Sequence, residues 1–163
     1  MKQKQATSSK KTFVRPDVTV WFITAITLLL GAWLILQKPV SAEEIVVYKS
    51  PTCGCCNDWI KHLEKNGFSV KAHDKNNMSE IKQELGVPRR LQSCHTAKVN
   101  GYVIEGHVPA DLISKMLREK PQIKGLSVPG MPMGSPGMEG PRKDDYNIVT
   151  FTESGKTSVY ASR

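Results

Sequence analysis

The chain has 163 residues with four cysteines and six methionines, and its net charge is +8. Residues 1–42 hold six Lys/Arg against one Asp, or +5, and the rest hold 17 Lys/Arg against 14 Asp/Glu, or +3. The second part therefore has an ordinary surface, without the basic blocks and interleaved aromatics that a nucleic-acid partner requires, and the length allows one domain of usual size after the N-terminal segment is set aside.

Lys2, Lys4, Lys10, Lys11 and Arg15 come first, and residues 18–36, VTVWFITAITLLLGAWLIL, then run without a charge. Such a run is long enough to span a bilayer of roughly 30 Å. Val40 and Ala42 supply the small residues that a signal peptidase takes. Because the basic residues precede the apolar run, the remainder is expected on the far side of the membrane. Residues 1–42 are thus a long cleaved signal peptide or a retained membrane anchor. A buried core helix is the weaker reading, since nothing polar interrupts the run to give a solvent face.

Residues 45–49 are Val-rich and bounded by Pro51, which reads as a first strand. Three cysteines follow in SPTCGCCNDW, and CNDWIKHLEKNG then reads as a helix with Trp59, Ile60 and Leu63 on one stripe and Gly67 as the stop. Phe68, Val70 and Ala72 alternate with polar residues as a half-buried second strand. A short helix starts at the N-cap Asn77, with Glu80 at the capping-box position, Gly86 past its end and Pro88 beyond. Residues 96–99 and 102–105 flank Asn100-Gly101, a strong hairpin signal. The last helix has Pro109 at its first turn, an apolar face of Leu112, Ile113, Met116 and Leu117, and a stop before Pro121.

The expected order is β-α-β-α-β-β-α, an α/β fold of thioredoxin-like type with helices on both faces of a small sheet. Residues 43–121 are expected to form this metal-binding domain. Residues 122–144 are a Gly/Pro-rich loop punctuated by Met131, Met133 and Met138, where no helix or long strand is expected. Residues 145–163 offer two β runs around Ser154-Gly155, a C-terminal hairpin that completes the domain and pins the Met loop.

Cys53, Cys55 and Cys56 fall at the junction of the first strand and first helix. There the free N–H groups and the helix dipole favour thiolate. Thiolate is both a nucleophile and a metal ligand, so the junction alone decides nothing. A disulfide closing so short a loop removes little chain entropy, which makes stability a weak reason for the cluster. Cys94 and His95 lie just before the third strand, where glutaredoxin-like chains carry a Val-Pro pair. A thiol and an imidazole then face the three cysteines. Disulfide exchange gains little from them, whereas a soft metal ion gains ligands.

Thiolate and thioether favour Cu(I), and Ag(I) shares that chemistry; a thiolate set also suits zinc. Met131 and Met133 add thioethers on the loop, although Met is equally a gap-filler over apolar surface. His107, past the fourth strand, is a further ligand candidate, with helix capping or exposure as the alternative. His62, His73, Asp58 and Lys61 read as structural or solvated groups. The candidate metal set is therefore Cys53, Cys55, Cys56, Cys94, His95, His107, Met131 and Met133, with no catalytic residue assigned.

The blocks SPTCGCCNDW, GVPRRLQSCHTAKVNGYVIEGHVPADLI and GLSVPGMPMGSPGME resemble a bacterial family of predicted metal-binding, thioredoxin-like proteins linked to periplasmic copper and other cation resistance, some of them called CopG-type. The resemblance covers residues 45–160. It implies copper binding in the periplasm with Cys53, Cys55, Cys56 and Cys94 as the thiol set, and leaves storage, transfer and oxidation open.

Three functions follow, in descending order. The first is an exported Cu(I)-binding protein for sequestration, transfer or detoxification, with copper ions and periplasmic copper-resistance or electron-transfer proteins as partners, and the membrane too if residues 18–36 are retained. The second is a thiol–disulfide or copper oxidoreductase using Cys53 and Cys56. The third is a domain stabilised by structural zinc.

Overall fold

The computed structural model describes residues 43–163; the expected export segment, residues 1–42, lies outside them. Among the described residues no helix is long and apolar enough to cross a membrane.

The strand β1 (Glu44–Lys49) buries Ile45, Val47 and Lys49 on one face. The helix α1 (Gly54–Lys65) then buries Cys56, Trp59 and Leu63, whose spacing of three and four residues makes one stripe. Gly67, at φ +87°, ends it in a backbone region that other residues avoid. The strand β2 (Ser69–Asp74) pairs in parallel with β1. In α2 (Met78–Glu84), Asn77 Oδ1 accepts the Glu80 N–H and Asn77 Nδ2 donates to the Glu80 carboxylate. This is a side-chain variant of the expected capping box.

A 3-10 turn (Arg89–Leu91) leads to β3 (His95–Val99), which pairs antiparallel with β1 and with β4 (Tyr102–Glu105). Asn100 and Gly101 both take positive φ, 46° and 86°, as a two-residue hairpin turn of the primed type demands. The helix α3 (Ala110–Glu119) follows with Pro109 as its N-cap, one position ahead of the first turn. The order β-α-β-α-β-β-α expected through residue 121 is the observed one.

Adjacent strand residues point to opposite faces, and β4 shows which helices lie on which. Ile104 joins a core with Trp59, Leu63, Ile113 and Met116, so α1 and α3 cover that face. Glu105 meets Lys82, so α2 lies on the other.

The Gly/Pro-rich region holds one element that its composition hides. The three residues of β5 (Gly125–Ser127) pair in parallel with β4, and α3 supplies the crossover that a parallel pair needs. A Cβ on Gly125 would run into the Val103 carbonyl, so this pairing needs glycine. The antiparallel hairpin of β6 (Asn147–Phe151) and β7 (Thr157–Ser162) completes a seven-stranded sheet of order β2-β1-β3-β4-β5-β6-β7.

Candidate metal centre

Cys53 is the N-cap residue of α1, and its N–H donates to the Ser50 carbonyl at 3.1 Å. The turn after β1 therefore delivers Cys53, Cys55 and Cys56 on the first turn of the helix. Cys56 is fully buried, while Cys53 and Cys55 are half-buried. Cys53 and Cys56 form a disulfide with Cα atoms 5.4 Å apart, within the range such a bond accepts. Cys55 Sγ lies 3.6 Å from Cys53 Sγ.

Cys94 enters from the opposite side, one residue before β3. The Sγ atoms of Cys53, Cys55, Cys56 and Cys94 all lie within 4.8 Å of one another. Cys94 also faces two imidazoles, with Sγ 3.3 Å from His95 Nδ1 and 3.0 Å from His107 Nε2. The register of the sheet explains this convergence. His95 pairs with Lys49 at the end of β1, and the next residues of β1's chain are the cysteine turn.

The packing behind the sulfurs is aromatic. The indole of Trp59 lies tilted by 37° against the ring of His95, with centroids 4.2 Å apart, and His95 meets His107 edge-on at 5.0 Å. Both histidines are fully buried. Trp59 Nε1 donates to the Val108 carbonyl at 2.9 Å, fixing α1 against the connection that carries His107.

Burial, with His107 and Lys82 adding, pushes His95 well below its ordinary value, and burial lowers His107 as well. Both rings are neutral near pH 7 and keep a lone pair for a ligand. Among the described residues, buried His95 Nε2 finds no hydrogen-bond partner. Burial, then the neighbouring Cys55, pushes the Cys94 thiol up to about 12. Free Cys94 is therefore a thiol at neutral pH, and a bound cation would have to displace its proton.

The remaining candidates divide. Met131 is exposed and lines, with Gln92, Ser93, Cys94 and Gly130, a groove of about 310 Å³ that opens onto Cys94. Met133 pairs with Asp144 through its backbone and lays its side chain on Gly140. A larger hollow of about 560 Å³, between the β3–β4 turn and Glu153, has no sulfur or imidazole in its wall. His62 serves the fold, its Nε2 accepting the N–H of Ala110 at the start of α3, at 3.1 Å.

Some supporting groups have no signature in the sequence. Lys82 Nζ donates to Glu105 Oε1 at 2.6 Å and to Thr96 Oγ1 at 2.9 Å, and Thr96 Oγ1 donates to Glu105 Oε2 at 2.6 Å. Glu105 Oε1 also accepts the Ser93 N–H at 2.6 Å, which anchors the residue before Cys94. Lys82 looks in sequence like a solvated helix residue, and nothing local marks its partner 23 positions away.

Against known proteins, the family model described as "Protein of unknown function, DUF411" matches residues 91–138, the segment bearing Cys94, His95, His107 and the Met loop. No curated protein matches the chain significantly. Two solved structures, both titled "Copper resistance protein copG" (Form 1 and Form 2), are each 52% identical, with a TM-score of 0.71. Each alignment covers 75% of this chain and 98% of the other. Identity at that level across nearly all of the relative places this chain in the CopG-type family of copper resistance proteins.

Proposed function

We propose that the chain is an exported copper-binding protein that takes Cu(I) into its cysteine cluster for sequestration, transfer or detoxification. The observation that carries this reading is the meeting of four sulfurs within 4.8 Å of one another, with two buried imidazoles against the fourth. Soft sulfur donors select Cu(I) over harder cations. The copper-resistance relatives support the choice of copper. The basic-then-apolar N-terminus supports the periplasm as its place of action. Binding by all four sulfurs requires that the Cys53–Cys56 disulfide be opened by two electrons.

The test is an anaerobic Cu(I) titration of the reduced full-length chain against a chromophoric chelator. Tight binding is expected, with stoichiometry or affinity lowered by Cys55→Ser and by Cys94→Ser. Two variants that bind as the parent does would sink the proposal.

The disulfide itself favours a second reading, redox chemistry at the same place. Two Cu(I) ions would each give one electron to the Cys53–Cys56 disulfide, which opens to two thiolates while two Cu(II) ions form. Electron paramagnetic resonance of the oxidised protein after Cu(I) addition would show the Cu(II) signal, absent in Cys53→Ser. A thiol–disulfide oxidoreductase would instead reduce insulin with Cys53 essential and Cys55 dispensable.

A further inference from the structure

The loop after β5 touches the cluster at two consecutive residues. His107 Nδ1 lies 2.6 Å from the Pro136 carbonyl oxygen. A carbonyl can only accept, so Nδ1 carries the proton and the Nε2 lone pair faces Cys94 Sγ. Next in sequence, Gly137 has φ +81°, and a Cβ there would sit 2.7 Å from both the Cys55 carbonyl and the Trp59 amide. Those two groups are i, i+4 partners in α1. The loop backbone thus rests directly on the helix that carries the cysteines.

The turn that presents these residues is itself fixed. The Gly137 N–H donates to the Glu139 carboxylate at 3.0 Å, Ser135 Oγ to the Pro132 carbonyl at 2.7 Å, and the Gly134 N–H to the Met138 carbonyl at 2.8 Å. Ser135 is fully buried.

We propose that Pro136 and Gly137 are positioning residues for the metal centre: one fixes the tautomer and direction of His107, and the other lets the loop lie against the cysteine turn. This deepens the copper-binding reading and rests on it. An outer partner on the far nitrogen of a ligating imidazole sets its orientation and basicity, and losing such a partner costs about 10- to 100-fold in affinity. Glycine is required for two separate reasons, the positive φ and the missing Cβ. Asn tolerates the first but not the second, so Gly137→Asn should fail as Gly137→Ala does.

The experiment uses the reduced full-length chain and two readouts. Long-range proton–nitrogen spectra of the metal-free protein should show His107 protonated at Nδ1, and Gly137→Ala should shift it toward the other tautomer. Cu(I) competition should then show Gly137→Ala weakening affinity about 10- to 100-fold at unchanged stoichiometry. His107→Gln should weaken it similarly, with the double variant no weaker than His107→Gln alone. Residues acting through one group are non-additive in this way, whereas a general structural defect adds.

Glu139→Ala, at an exposed side chain, loosens the same turn without endangering the fold and should give a smaller shift in the same direction. An Nε2-protonated His107 in the parent, or losses that multiply in the double variant, overturns the proposal. A parent chain that binds no Cu(I) overturns the functional reading instead, and the tautomer spectra still decide the positioning.

Discussion

The hairpin of β3 and β4 carries two polar clusters back to back, and they are built on opposite principles. On the α2 face, Glu105 receives Lys82, Thr96 and the Ser93 amide, so both of its oxygens are engaged. On the α1 face, one residue away along β3, His95 Nε2 has no partner among the described residues, and the Cys55 and Cys94 thiols are outside the disulfide. A saturated buried network rigidifies and specifies a fold, whereas an unpaired buried polar group costs stability. The saturated cluster also holds the Ser93 amide, so the closed side of the hairpin places the open one.

The sharpest way to break this contrast is to unpair the closed side. Lys82→Met strands the Glu105 carboxylate in the interior and should cost about 3–5 kcal/mol in urea unfolding. Cys94→Ser on the open side should cost about 1 kcal/mol or less. Pairing Lys82→Met with Glu105→Leu should recover part of the loss, because it removes the stranded charge but leaves the Ser93 amide and the Thr96 hydroxyl without their acceptor. Equal destabilisation by Lys82→Met and Cys94→Ser would erase the distinction.

Proton linkage gives a second, intermediate test on the metal-free protein. His95 and His107 are held neutral by burial, so below their ordinary value of 6.5 the unfolded chain takes up protons that the folded chain refuses. Stability should fall as pH drops through that point. Cys94 is raised from 9.0 to about 12, so above 9.0 the unfolded chain releases a proton that the folded chain keeps, and stability should fall again. Thermal midpoints measured from about pH 5 to about pH 10 should form a plateau between those limits. Bound Cu(I) should widen it on the acid side, because the metal occupies the lone pairs that acid would protonate.

A further small effect should come from a histidine outside both clusters. His62→Ala removes the acceptor for the first N–H of α3 and should cost about 1 kcal/mol, as loss of a cap does. Copper binding should not change, and a changed affinity would mean that the open cluster reaches further than its geometry indicates.

Much of this arrangement was legible from residue types. Periodicity and stop signals marked the elements from β1 to α3, and Asn100-Gly101 fixed the hairpin. Counting back from that turn put Cys94-His95 just before the third strand, where glutaredoxin-like chains carry a Val-Pro pair facing the dithiol, so the gathering of cysteines could be anticipated. What stayed hidden depended on distant partners. The short β5 has no period to read, and its place comes from Gly125 fitting under the Val103 carbonyl. Lys82 and His62 gain their roles from residues 23 and 48 positions away. His107 read more readily as a helix cap or an exposed residue than as a ligand, and the packing of Trp59 and Val108 with the Pro136 carbonyl turns its ring to Cys94.

The Met loop leaves the sheet at β5 and returns at β6, and these strands are paired neighbours with Ser127 opposite Val149. Its two ends are therefore pinned together whatever lies between them. Lengthening a closed loop costs little, about 0.6 kcal/mol per doubling. Replacing Met131, which is exposed on this loop, should therefore leave the sheet undisturbed, provided Pro136 and Gly137 keep their seat. On the copper-binding reading, grafting such loops is a route to altering which soft ion the cysteines prefer.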